Sequence, residues 1–118
     1  MKRGEIWLVN LDPTIGSEIQ KTRPAVLISS DLVGILPLKI IVPLTEWKDR
    51  YSNASWMVRI DPDEQNGLSK SSTADGLQIR SVSVQRLVKK VGVLSSLQVA
   101  QIVQAVVNVL QREPIFNH

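Results

Sequence analysis

The chain has 118 residues, 14 Lys and Arg against 11 Asp and Glu, no Cys, and a single His at position 118. That length supports one domain with a real core, while zero cysteines exclude disulfide frameworks, thiol nucleophiles and Cys-ligated metal sites. A lone terminal His118 excludes a multi-histidine metal site and leaves any catalysis without the usual near-neutral acid–base side chain. The net charge of +3 suits an anionic partner without requiring one. The N-terminal Met1-Lys2-Arg3-Gly4-Glu5 lacks the apolar stretch of a signal peptide. Val91–Gln111 is uncharged but carries an amide nearly every turn, which a bilayer core penalises, so no membrane span is expected. A cytoplasmic protein without a membrane partner is the simplest expectation.

In chain order, Glu5–Leu11 is a short apolar, β-rich run that Asp12-Pro13 ends, and residues 14–22 form a polar loop around Gly16. Pro24–Ser29 and Lys39–Leu44 are the next two strands, with Pro43 predicting an edge or bulge at the end of the latter. Ser55–Ile60 alternates, placing Trp56, Val58 and Ile60 on one face and Met57 and Arg59 on the other. Asp61-Pro62-Asp63 and Asn66-Gly67 mark a turn-rich connection. Gly76–Val82 and Arg86–Val93 read as two further strands.

The end of the chain changes period. Ser95 and Gln98 fit the N-cap and N3 positions of a capping box, the helical pattern runs to about Arg112, and Pro114 lies beyond it. Gln98, Gln101, Gln104, Asn108 and Gln111 form one narrow polar stripe. So apolar a helix predicts cover on more than one side, by a second subunit or by the rest of its own monomer. The expectation is one α+β domain, residues 1–118, of about six short strands and a C-terminal helix.

Three segments place polar groups where strands end. In the first loop, Arg23 precedes Pro24 and is biased towards an extended backbone, from which its fork can face phosphate or simply solvent. Glu18 is the only carboxylate there, a candidate base or a partner for Lys21 or Arg23. After the third strand, Thr45 is followed by Glu46-Trp47-Lys48-Asp49-Arg50-Tyr51, an interleaving of basic and aromatic residues with near-zero net charge. That suits a single-strand nucleic-acid loop and an ordinary anchored connection about equally. Strand alternation puts Gln78 and Arg80 on one face opposite Ile79, either as readers of a base edge and phosphate or as solvent-facing polar groups. Asp61, Asp63 and Glu64 lack the spacing of a calcium loop, and no metal site is expected.

Taken in order, Arg3-Gly4-Glu5-Ile6-Trp7, Asp12-Pro13-Thr14, Gly16-Ser17-Glu18, Thr22-Arg23-Pro24-Ala25-Val26-Leu27, Val42-Pro43-Leu44-Thr45, Gly67-Leu68, Ser72 and Gln78-Ile79-Arg80 resemble the MazF/PemK family. Its members are the endoribonuclease toxins of bacterial type II toxin–antitoxin pairs. The resemblance implies a small SH3-like β-barrel with a C-terminal helix, packed as a homodimer. It implies sequence-selective cleavage of single-stranded RNA without metal or other cofactor, by 2′-OH attack, leaving 2′,3′-cyclic phosphate and 5′-OH ends. It also implies a cognate antitoxin that lays an acidic segment over the RNA groove. By the same resemblance Arg23 matches the family's essential arginine, Thr45 its essential threonine and Glu18 an acidic position that matters in some members, while Gln78 and Arg80 match the strand lining the RNA groove. The expected site is therefore Arg23, Thr45 and Glu18 as catalytic residues, with Ser17, Lys21, Trp47, Lys48, Gln78 and Arg80 as RNA-binding candidates. Two departures stand out: Lys21 occupies a position where many members have glycine, and Leu77 one where some carry a second catalytic acid, with Asp75 two residues earlier. The related alternatives are a same-fold toxin that binds gyrase and a degenerate member that only binds its antitoxin.

Overall fold

The computed structural model describes residues 1–33 and 35–111; Arg112, Pro114 and His118 lie outside them. Seven strands precede one helix: β1 (Glu5–Asn10), β2 (Thr22–Leu27), β3 (Leu38–Glu46), β4 (Met57–Ile60), β5 (Ser72–Asp75), β6 (Arg80–Ser83), β7 (Leu87–Val93) and α1 (Ser96–Leu110). All described pairings are antiparallel, in the order β4-β5-β3-β2-β1-β7, with β6 branching from β3. No described pairing joins β4 to β7, so the implied barrel is an open one.

Strand β3 organises the molecule because three strands pair with it. Its first half pairs with β6 (Ile41 opposite Arg80) and β2 (Ala25 opposite Pro43), and its second half with β5 (Thr45 opposite Thr73). The strand runs past the expected end at Leu44 to Glu46, and Pro43 sits where β3 leaves β2. A residue without an N–H is tolerated at that transfer between ladders.

Alternation along β3 sorts the core into two layers. Val42 and Leu44 face a layer shared with Ile6, Val26, Ile60, Ala74 and the helix residues Val99, Ile102 and Val106. Ile41 faces the other layer, with Val9, Leu11, Ala25, Leu27, Val82 and Leu87. The capping box forms as predicted: Ser95 Oγ accepts from the Gln98 N–H, and the Gln98 side chain accepts from the Ser95 N–H. The helix buries Val99, Ile102, Ala105 and Val106 on its own sheet and leaves Leu97 and Leu110 exposed. A larger exposed apolar patch lies elsewhere, at Leu32, Ile35, Leu36 and Leu38 around the start of β3.

The expected strand Gly76–Val82 is the main correction. The chain there is β5, a 3₁₀ turn at Gly76–Gln78, and only then β6. At Gly76 an added Cβ would lie 3.1 Å from the Trp56 carbonyl oxygen and 3.2 Å from the Val106 nitrogen. The strand must yield where α1 crosses so closely, and Asp75 caps the turn by accepting the Leu77 N–H at 3.1 Å.

The Arg3-Gly4-Glu5-Ile6-Trp7 run has a structural role. Gly4 adopts φ +91°, where a side chain is strained, and receives the Leu94 N–H on its carbonyl. Glu5, 9% exposed, accepts the Trp7 indole N–H at 2.9 Å and pairs with Lys90 of β7 at 3.3 Å and the N-terminal ammonium at 3.4 Å. Burial pushes its carboxyl up, but hydrogen bonds from Trp7, the Lys2 backbone and Lys90, with the N-terminal charge, outweigh that and lower its pKa to about 2.

Candidate active site

The loop between β1 and β2 folds over the end of the second core layer. Its turn is closed by Glu18, whose Oε1 accepts the Ile15 N–H at 2.8 Å, and Ile19 packs on that layer. Arg80 Nη1 donates to the Leu11 carbonyl at 3.0 Å, and Arg86 donates to the carbonyls of Asn10 and Asp12. Gln78 spans the gap in both directions: its Oε1 accepts the Ile19 N–H at 3.2 Å and its Nε2 donates to the Ser17 carbonyl at 3.0 Å. These bonds hold open a cleft of about 460 Å³ lined by Ile15, Ser17, Glu18, Ile19, Pro43, Leu77, Gln78, Ile79 and Arg80.

Ser17, Glu18, Gln78 and Arg80 thus line one cleft, whereas Lys21 and Arg23 are not among its lining residues. Gln78 reaches the cleft from the 3₁₀ turn, while Arg80 reaches it from β6. They do not share a strand face as predicted. Among the described residues Glu18 makes no ion pair with Lys21 or Arg23; its carboxylate is held by main chain through Oε1, and Oε2 has no partner there.

Arg23 and Thr45 border the cleft without lining it. On β3, Thr45 shares the face of Pro43, a cleft residue, and of Ile41. On β2, Arg23 shares the face of Ala25, which is paired with Pro43. The β2–β3 ladder ends at Ala25–Pro43, and Arg23 and Thr45 each lie two residues beyond that pair, on the same face of their own strands, where the two strands part. Arg23 is exposed, and its Nε donates to the Gln20 carbonyl at 3.3 Å, so its outer fork carries no hydrogen bond among the described residues.

Lys21 has φ +69°. This is a left-handed conformation natural to glycine and costing a side-chain-bearing residue about 1 kcal/mol. The geometry explains why glycine suits this position, and it places an exposed ammonium two residues from Arg23.

Trp47 and Lys48 lie beyond the end of β3, away from the cleft. The Trp47 ring is not a free stacking platform: the Arg59 guanidinium lies 5.1 Å from its centroid, and Tyr51 meets it edge-on at 6.1 Å. Strand alternation places Arg59 on an outward face but does not connect it with Trp47, because nothing local links residues 47 and 59. Asp75 sits on β5 opposite Met57, on the face of Thr73. Its pKa is raised by desolvation, against which the Leu77 and Gln78 amides act. Among the described residues, no helix is long and apolar enough to cross a membrane.

A family model for PemK-like, MazF-like toxins of type II toxin–antitoxin systems matches residues 2–110. The endoribonuclease MazF9 of Mycobacterium tuberculosis (strain ATCC 25618 / H37Rv) is 32% identical over 117 residues, covering 89% of this chain and 92% of that protein. The endoribonuclease EndoA of Bacillus subtilis (strain 168) is 28% identical over 93 residues, covering 77% and 78%. A solved MazF from Deinococcus radiodurans shares the fold, with a TM-score of 0.76 at 20% identity over 93% of this chain and 96% of that one. With the ordered motifs of the first loop, β3 and the 3₁₀ turn all falling inside the matched span, this chain belongs to the PemK-like, MazF-like toxin family of type II toxin–antitoxin systems.

Proposed function

We propose that this protein is the endoribonuclease toxin of its pair, cutting single-stranded RNA by attack of the ribose 2′-OH on the adjacent phosphorus. The observation that carries the reading is the setting of Arg23 and Thr45 on one sheet face beside a cleft that holds Glu18 and Arg80. Since the substrate supplies the nucleophile, the chain needs neither of the residue types it lacks. It must align the 2′ oxygen, phosphorus and departing 5′ oxygen, stabilise the phosphorane charge, and move two protons.

Arg23 answers the second need, because its outer fork is open and a guanidinium is a planar, delocalised cation that can meet two phosphate oxygens at once. It also hydrogen-bonds the departing 5′ oxygen. Thr45 fixes a non-bridging oxygen through its hydroxyl. Glu18 takes the 2′ proton on Oε2 while Oε1 remains tied to Ile15. The 2′ oxygen bonds to phosphorus as its proton passes to Glu18, the P–O5′ bond breaks, and the departing 5′ oxygen takes a proton from solvent water, leaving a 2′,3′-cyclic phosphate and a 5′-OH. Arg80, Gln78, Ser17 and Lys21 border the path of the strand. No residue in this scheme calls for a metal, and the protein works in the cytoplasm, where its RNA and its antitoxin are. The antitoxin, an acidic segment, covers the same cationic loop.

Two copies pair through the exposed apolar patch of Leu32, Ile35, Leu36 and Leu38 rather than through α1, whose apolar face is already occupied by its own sheet. Ile35→Asp yields monomers in light scattering if this is the interface; unchanged dimers move it elsewhere.

The decisive assay incubates purified protein with a long single-stranded RNA in excess EDTA. Cutting by the wild type, abolished in Arg23→Ala with fold and dimer intact, is the expected result. Full activity of Arg23→Ala refutes the site, and cutting only with added divalent metal refutes the mechanism. Gyrase inhibition without RNA cleavage points to the gyrase-binding alternative, and antitoxin binding alone to a degenerate member.

A further inference from the structure

We propose that Arg59 forms a second phosphate subsite, holding the RNA strand within about two nucleotides of the cut. The inference rests on the reading of Thr45 as part of the cleavage site, and the register supplies the connection. Thr73 of β5 pairs with Thr45 on one side and Arg59 on the other. The three therefore form one row on the sheet face opposite the helix-covered layer. Two strand spacings separate Arg59 from Thr45, about 10 Å between backbones.

The side chain is pre-set for a planar anion. Its Nε donates to Asp61 Oδ1 at 3.0 Å, and Asp61 is itself fixed by the Ser71 hydroxyl at 2.7 Å. The Trp47 ring supports the guanidinium face at 5.1 Å, and the Trp47 main-chain N–H donates to the Ser71 carbonyl at 3.0 Å. Ser71 thus ties down both the Trp47 main chain and the Asp61 carboxylate. The two terminal nitrogens make no hydrogen bond among the described residues, and the side chain is half exposed. Asp61 engages only the inner nitrogen, which leaves the two outer nitrogens to meet a phosphate.

Trp47 adds an independent observation. Its indole N–H is buried without an acceptor among the described residues, a penalty that Phe at this position would avoid. The larger, more electron-rich indole is the better support for a cation. The ligand class is a phosphodiester of single-stranded RNA; the acidic antitoxin is the competing occupant.

The test uses the full chain, long RNA, and oligonucleotides trimmed around a mapped cut. Arg59→Ala is expected to raise KM about tenfold on long RNA with kcat nearly unchanged, and to reduce the salt slope of RNA affinity by about 0.7. Arg59→Lys restores the slope but only part of the affinity. On oligonucleotides trimmed to the nucleotides flanking the cut, Arg59→Ala and wild type cut alike. Wild-type KM and salt slope in Arg59→Ala overturn the subsite while leaving the cleavage site standing, as does loss confined to antitoxin affinity. A wild-type chain that cuts no RNA overturns both readings.

Discussion

Glu5→Gln is the sharpest test of how the N-terminal motif stabilises the fold. In the native protein the carboxylate receives the Trp7 indole and pairs with Lys90, which fastens β1 to β7, and its pKa falls from 4.5 to about 2. A depressed folded-state pKa adds stability above the unfolded value and loses it as pH falls through the folded one. The window therefore runs from about pH 4.5 down to about pH 2. Over the full shift the linkage is worth roughly 3 kcal/mol at pH 7 and roughly 1.4 kcal/mol at pH 3, an upper value because Lys90 is half exposed and screened. The glutamine amide keeps an acceptor for Trp7 but not the charge. Urea unfolding of both proteins at several pH values between 3 and 7 is expected to show a destabilisation of about 2–3 kcal/mol at neutral pH. That gap should shrink by about half at pH 3. A gap of constant size across the range would mean that the substituted amide disturbs packing, and no gap at pH 7 would refute the electrostatic account.

The cleavage site and the core give further expectations. Thr45→Ala should lower kcat about 10²–10³-fold with little change in melting temperature, measured by single-turnover cleavage; an equal loss of stability would place the effect in β3. Lys21→Gly removes a left-handed non-glycine residue and should relieve about 1 kcal/mol of strain, offset in part by glycine's unfolded-state entropy. It should also weaken RNA affinity and flatten its salt dependence by about 0.7. Asp75→Asn preserves an acceptor for the Leu77 N–H. Burial raises the Asp75 pKa, so ionisation in the fold is opposed, and stability is lost as pH rises from the unfolded to the folded value. The Asn variant should then be at least as stable as wild type at pH 7 and lose that advantage in acid. Its cleavage rate should stay within about threefold, while a 10²-fold fall would assign Asp75 a proton-transfer role. Ile102→Ala, at a fully buried position, should cost about 2–5 kcal/mol in denaturant unfolding.

What the sequence reveals follows from where each structure is decided. Apolar runs and their turn residues locate β1, β2, β3 and β7 because their periodicity is local, and Ser95 with Gln98 predicts the helix start for the same reason. Gly76 carries a tertiary reason instead: the backbone of α1 passes against it, so the expected strand Gly76–Val82 gives way to a 3₁₀ turn and the short β6, with the unexpected β5 just before it. The local hint is Asp75-Gly76 itself, a side-chain acceptor followed by a residue without a Cβ. In the site, Glu18 and Arg80 are legible as strand-end polar groups. That Gln78 clamps the main chain of a loop some sixty residues earlier is not, since a side-chain bond to distant backbone leaves no spacing to read. Arg59 is hidden similarly: its partner Trp47 lies across β3 and β5.

Strand β3 places the two halves of the cleavage site on different levels of protection. Thr45 is paired with Thr73 of β5, which also pairs with β4, so exposing it means parting the sheet that β4, β5 and the end of β3 form. Its protection should exceed that of the loop between β1 and β2. Glu18 hangs from that loop, tied at long range through Gln78, the Leu11–Lys21 main-chain bond and, at its β1 end, Arg80 and Arg86, whereas Arg23 is paired with Val9 within β2. The Glu18 side of the site can open while β2 stays paired. An inhibitor that captures the loop in an opened state would silence the enzyme without working against the stability of the barrel, and releasing it would restore activity without a refolding step.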